Sequence, residues 1–98
     1  MDVTYQLQGV LFEWDENKAQ TNIQKHGVAF EEAVEVFFDP FYQTGDASVS
    51  DEERDFIIGY TFSQRLLLAV YTARGDHTRI ISARSATRAE RIVYEEAN

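Results

Sequence analysis

Arg79-Ile80-Ile81-Ser82-Ala83-Arg84-Ser85-Ala86-Thr87-Arg88-Ala89-Glu90-Arg91 decides the reading of this chain. Its first half is apolar and β-branched between arginines, which predicts a strand over 78–84. Successive side chains of a strand alternate, so Ile80, Ser82 and Arg84 are expected on one face. Thr87 then opens a helix, and Glu90 three residues on completes a capping box. On that helix Ala89, Ile92 and Val93 are assigned to the core side, with Thr87, Arg91 and Tyr94 on a neighbouring stripe. Four arginines fall within these thirteen residues of an otherwise acidic chain, so an anion would meet its positive charge here.

Upstream, 9–14 reads as a short strand and Asp15 as the N-cap of a helix over 16–26. Ala19 and Ile23 are expected on its inner side. Lys18, Asn22 and Lys25 form one polar stripe, and His26 lies between the two faces. Gly27 ends the helix in the left-handed conformation, with Val28 packing on Ile23. A second helix is predicted over 30–38, where Phe30, Ala33, Val34 and Phe37 repeat at core spacing. Asp39-Pro40 stops it. Strands follow over 41–44, 54–62 and 65–72, with a polar loop over 45–53 and turns at Ser63-Gln64 and 74–76. The 65–72 run is apolar on both faces and therefore central. The order β-α-α-β-β-β-β-α predicts an α+β fold: a mostly antiparallel sheet with two N-terminal helices and one C-terminal helix packed on it.

Ninety-eight residues suit a single domain over 1–98 with one core. Hydrophobic residues at 44% and aromatics at 13% predict a folded chain. The net charge of −8 is uneven: 31–55 carries nine acids against Arg54 alone, while the remaining segments nearly cancel. That balance argues against nonspecific nucleic-acid binding and favours a basic partner, yet leaves room for a local anion site. There is no cysteine. No apolar run approaches the ~18 residues of a membrane span, and no basic segment leads into an apolar one at the start, so a cytoplasmic protein is expected. Neither a cofactor motif nor a metal-ligand spacing is present, and the expectation is none of either.

Phe12-Glu13-Trp14-Asp15, Asn17-Lys18, Asn22, Lys25-His26-Gly27-Val28, Phe30-Glu31-Glu32-Ala33, Asp39-Pro40, Glu53-Arg54, Gly59, Arg79 to Arg84, Ala86-Thr87 and Glu90-Arg91 together resemble the BrnT toxins. The resemblance implies a RelE-like fold and an endoribonuclease toxin of a bacterial type II toxin–antitoxin pair. The implied partner is a BrnA-like ribbon-helix-helix antitoxin, through which alone the complex would reach promoter DNA; the implied substrate is RNA. The chain departs from the family pattern in two places. The loop before Glu53 reads Ala47-Ser48-Val49-Ser50 without the His-Ser pair many relatives have, and Ala29 replaces a capping serine.

Metal-independent RNA cleavage needs a proton taken from the 2′-hydroxyl, charge held on a pentavalent phosphate, and a proton returned to the leaving 5′-oxygen. Fixed cations serve the second task and His, Glu or Tyr the others. The candidates on family motifs are Lys25, His26, Glu53, Arg54 and Arg84 for catalysis, with Lys18, Arg79, Arg88, Arg91 and Tyr94 for RNA binding. Arg84 is expected to share one solvent-reachable pocket with Lys25, His26 and Arg54. Each has a blander alternative. Arg84 could pair with Glu90 or the acidic loop, Arg54 with a neighbouring carboxylate, His26 with a last helical carbonyl, and Trp14 is core before it is a base-stacking platform. The alternative function is a non-catalytic protein of this family that only docks an antitoxin or other basic partner.

Overall fold

In the computed structural model, which describes residues 1–97, the chain runs β1 (Asp2–Leu7), β2 (Val10–Asp15), α1 (Glu16–His26), α2 (Phe30–Ala33), a 3-10 segment (Val34–Phe38), β3 (Gln43–Asp46), β4 (Asp55–Tyr60), β5 (Leu66–Arg74), β6 (His77–Ser85) and α3 (Arg88–Glu96). Residue 98, the last of the expected domain, lies outside the described residues. The six strands form one sheet in the order β1-β2-β6-β5-β4-β3. The α+β class stands, but the sheet is mixed and not mostly antiparallel as expected, because β2 runs parallel to β6. That pairing is brief: Phe12 faces Thr78 and Glu13 faces Arg79, after which α1 takes over the flank of β6. β1 has no counterpart in the sequence reading. Val3, Tyr5 and Leu7 alternate with Asp2, Thr4 and Gln6, and the strand turns back onto β2 through Gln8-Gly9, both at positive φ, the conformation two-residue hairpin loops prefer.

The helices also depart from expectation. The second one is a single α-turn that tightens into the 3-10 segment. Ala29 supplies no side-chain cap, and Val34, Val36, Phe37 and Phe38 all turn toward the core, more than one α-helical stripe holds. Gly59 lets this segment cross β4, since a Cβ there would lie 2.9 Å from the Val36 carbonyl oxygen.

The main core lies on one face of the sheet, where Phe12, Trp14, Phe30, Ile57, Leu67 and Ile80 are buried. Each such side chain contributes about 1.5–3 kcal/mol relative to exposure. Trp14 is therefore core, its ring tilted against Tyr5 and edge-on to Phe30. A smaller cluster of Ile58, Leu66, Leu68 and Tyr94 lies between the other face and α3.

Two helix faces are turned from their predicted orientation. On α1, Ile23 is 43% exposed and Asn22 only 5%. Asn22 is buried because its amide serves the backbone: it donates to the Ala83 and Val28 carbonyls at 2.8 and 2.9 Å and accepts the Ala83 N–H at 3.1 Å. On α3, Ile92 and Val93 are exposed and Tyr94 is buried. The Tyr94 hydroxyl donates to Asp39 Oδ2 at 2.6 Å, an oxygen that also accepts the Tyr60 N–H at 2.8 Å. Burial opposes ionisation of Asp39. The bonds from Tyr94, Tyr60 and Phe41 prevail and hold its carboxyl below the ordinary range.

Candidate RNA-binding face

A bulge in β6 determines which arginines share a surface. Ser82 pairs with Val70 and Ile80 with Tyr71, so Ile81 has no cross-strand partner. Such an extra residue shifts the alternation of the bulged strand by one. Arg79 faces Thr72 and Arg84 faces Leu68; those partners are four residues apart on β5 and point the same way. Both arginines therefore lie on the sheet face opposite the main core. Without the bulge, their odd separation would put them on opposite faces. The predicted Ile80–Ser82–Arg84 face is corrected accordingly: Ile80 points into the core.

Two adjoining hollows form on this side. The first, of about 290 Å³, runs along α1 and is lined by Lys18, Thr21, Lys25, His26, Ile81 and Ser82, among others. α1 carries its cations there because Asn22 docks the helix against β6. The second, of about 410 Å³, is lined by Lys18, Glu53, Arg54, Thr72, Arg79 and Ile81 as well as Glu52. Lys18 and Ile81 line both, so the two adjoin. Lys18, Lys25, His26, Glu53, Arg54 and Arg79 are thus brought onto one surface. Arg84 is not in that pocket. It lines a separate apolar hollow on the same face of the sheet, walled by Phe56, Ile58, Leu68, Val70 and Val93.

The charges differ in how tightly they are held. Lys18 and Lys25 are exposed and enter no ion pair among the described residues. Arg54 pairs with Glu52 on the rim. Its backbone is fixed by the loop: its N–H donates to Ser48 Oγ, and its carbonyl accepts the Ala47 N–H. Ser48 in turn donates twice to Asp46, which keeps that carboxyl below its usual value. Arg79 is held on two sides, by Asp2 at 3.1–3.2 Å and by Glu13. The bond from Arg79 lowers the Asp2 carboxyl, and the same contact raises the guanidinium. Glu13 also lies 3.7 Å from Arg74 and 3.9 Å from His77.

Arg84 makes a two-pronged pair with Glu90, Nη1 to Oε1 at 2.7 Å and Nη2 to Oε2 at 2.8 Å. Glu90 also accepts the Thr87 N–H, so the capping box and the ion pair share one carboxylate. The bonds from Arg84 outweigh burial and bring Glu90 from 4.5 down to about 2. A carboxyl depressed on folding adds stability above its unfolded value and loses it as pH falls toward the folded one. Unfolding titrations should therefore show a loss between pH 4.5 and about 2 that Glu90→Gln removes. Arg84 is 39% exposed, so solvent screening limits the loss to about 1 kcal/mol. Equal acid slopes for parent and variant, in urea titrations across that range, would contradict the pairing.

The remaining candidates lie elsewhere. Arg88 begins α3 and is exposed, and Arg91 donates to the Tyr60 hydroxyl at 3.1 Å; neither lines the hollows above. Tyr94 is 7% exposed and edge-on to Tyr60, so its ring is enclosed and presents no stacking surface. Thr21, Thr72 and Ile81 line these hollows without having been singled out as site residues in the sequence, and Asp2 holds Arg79 beside them. The alternation of 2–7 was the one signal that could have found Asp2. Among the described residues no group of three or more His, Cys, Asp or Glu is arranged to hold a metal ion, and no helix is long and apolar enough to cross a membrane.

Comparison with known proteins follows the same lines. Residues 14–90 match the family described as ribonuclease toxin, BrnT, of type II toxin–antitoxin system. The 1.1 Å crystal structure of the Brucella abortus ribonuclease toxin BrnT is similar at a TM-score of 0.59 and 30% identity, over 76% of this chain and 94% of that one. No curated protein sequence matches. β1 precedes the matched residues.

Proposed function

The chain belongs to the BrnT family of ribonuclease toxins of type II toxin–antitoxin systems, and from that premise we propose that it is a metal-independent endoribonuclease whose RNA lies across the open face of the sheet. One observation carries this reading: Lys18, Glu53 and Arg54 line one hollow, and it shares Lys18 and Ile81 with the adjoining cleft of Lys25 and His26. Lys18 and Arg54 hold the scissile phosphate and the charge that grows on it. Glu53 accepts the 2′-hydroxyl proton, since a carboxylate offers only acceptors. His26, the last residue of α1, returns a proton to the leaving oxygen with Lys25 beside it. Arg79 contacts the neighbouring backbone, and Arg88 and Arg91 extend the track onto α3.

The fold is read as RelE-like and the partner as a BrnA-like ribbon-helix-helix antitoxin, which alone carries the complex to promoter DNA. The acidic residues between 46 and 55 suit a basic antitoxin segment. The site of action is the cytoplasm, where the RNA is. Purified protein is expected to cut RNA in excess EDTA and to stop when the antitoxin is added. Cleavage that disappears with EDTA and returns with magnesium overturns metal independence.

A second reading is a non-catalytic docking protein. It is favoured by one feature: Arg54, Arg79 and Arg84 are all paired with carboxylates of this same chain. Expression without the partner separates the two readings, because only a nuclease arrests growth.

A further inference from the structure

We propose that the apolar hollow beside Arg84 is a nucleobase pocket, and that it takes a guanine of the RNA strand lying on this face. The proposal rests on the ribonuclease reading above and adds a base specificity to it.

The hollow measures about 330 Å³. Its floor is two cross-strand pairs, Phe56 with Val70 and Ile58 with Leu68, and Val93 of α3 forms a wall. These surfaces favour a flat, weakly hydrated ring over a phosphate or a charged side chain. Single-stranded RNA is recognised mainly through such inserted bases, stacked on aromatic rings or guanidinium planes. The hollow also lies beside the α1 cleft that adjoins the phosphate hollow. Val70 lines the hollow, and its cross-strand partner Ser82 lines the cleft along α1. Side chains so paired start ~5 Å apart, a gap that one nucleotide spans.

Arg84 supplies the choice of base. Its Nη1 donates to the Ser85 carbonyl and to Glu90, and its Nη2 donates to Glu90. That leaves the side-on edge, Nε–H and the second Nη2–H, without a partner among the described residues. Two parallel donors match the O6 and N7 acceptors of guanine; of the other bases only unpaired cytosine, through O2 and N3, offers two adjacent acceptors, and its single ring covers less of the apolar floor. Glu90 keeps the plane in place through its double role in the ion pair and the helix cap. A basic antitoxin segment suits this hollow less well, since its walls are apolar and the one carboxylate that lines it, Glu90, is already held by the Arg84 guanidinium.

The test uses 2′-O-methyl RNA oligonucleotides, which bind without being cut. The full chain is expected to bind a guanine-containing oligonucleotide roughly tenfold more tightly than the same strand with an abasic site or 7-deazaguanine at one position. Val93→Trp fills the hollow from an exposed helix position, so folding is retained and is checked by circular dichroism. This variant is expected to bind the three strands alike. Arg84→Gln is expected to lose the guanine preference while still favouring a base over an abasic site. Cleavage of RNA with no base preference in binding overturns the pocket and leaves the nuclease reading standing. Failure to bind or cut any RNA overturns both. A Val93→Trp protein that keeps its guanine preference but no longer binds antitoxin assigns the hollow to the antitoxin instead.

Discussion

Replacing Asn22 with alanine is expected to cost about 3 kcal/mol of folding stability, a large share of the ~5–15 kcal/mol that holds a domain together. The reason lies at the flank of β6. β2 pairs with β6 only at Thr78 and Arg79, and beyond them β6 has no strand on that side. Ala83 is buried there, with an N–H and a C=O that no neighbouring strand meets from that flank. A primary amide carries the same donor and acceptor as a peptide group, and Asn22 presents both to Ala83 from 61 residues away. Its second N–H holds the Val28 carbonyl, just past the end of α1. Alanine would leave these three backbone groups without partners, each costing about 1–3 kcal/mol before water enters to relieve part of it. Asn22→Asp should fare no better, because a carboxylate cannot donate to either carbonyl. For a domain of this size the midpoint should fall by about 12–24 °C. Thermal unfolding followed by circular dichroism reads that shift directly. Amide exchange at Ala83 should accelerate more than at Leu67, which lies in the sheet interior. A midpoint within 3 °C of the parent would show that Asn22 does not hold the helix to the strand.

What could be read in the sequence was what neighbouring residues decide. Asp15 caps α1, Gly27 ends it with φ 67°, and Thr87 with Glu90 opens α3, each through bonds spanning three or four residues. The placement of β4 and the two-sided burial of β5 also follow from local pattern. What escaped is set by distant partners. Asn22 is polar and falls on a polar stripe by spacing, yet Ala83 draws it inward. Val93 and Ile92 look like a core stripe, yet Asp39, 55 residues from Tyr94, turns α3 the other way. The bulge at Ile81 is the sharpest case. One unpaired residue reverses the parity of everything beyond it, and isoleucine gives no hint of it where a glycine would. The candidate surface was therefore legible in its residue types and only half legible in its grouping. Lys18, Lys25, His26, Glu53 and Arg54 converge, whereas Arg84 shares their face but occupies another hollow.

Arg54→Ala is expected to lower RNA cleavage about 10²–10³-fold, the usual loss when one preorganised donor to a developing anion is removed. Arg54 differs from the other arginines in where it can deliver its charge. It lines two connected hollows with Glu53 and Thr72, and its backbone is pinned at both the N–H and the carbonyl by the loop that carries it. Its partner Glu52 is largely exposed, so an incoming phosphate can displace that carboxylate at little cost. Arg79 lacks this freedom, since Asp2 and Glu13 grip it together. Arg54→Lys should recover only part of the activity, because an ammonium cannot span two phosphate oxygens as a guanidinium does. Arg65→Ala is the control: Arg65 pairs with Glu32 and lines none of these hollows, so cleavage should be unchanged. Both substitutions remove one positive charge, so a general loss of attraction for RNA would affect them equally. A loss confined to Arg54→Ala, with a native circular-dichroism spectrum, locates the phosphate in this hollow. An Arg54→Ala protein that cuts within threefold of the parent moves the phosphate out of it, and the proposed roles of Glu53 and Lys18 go with it.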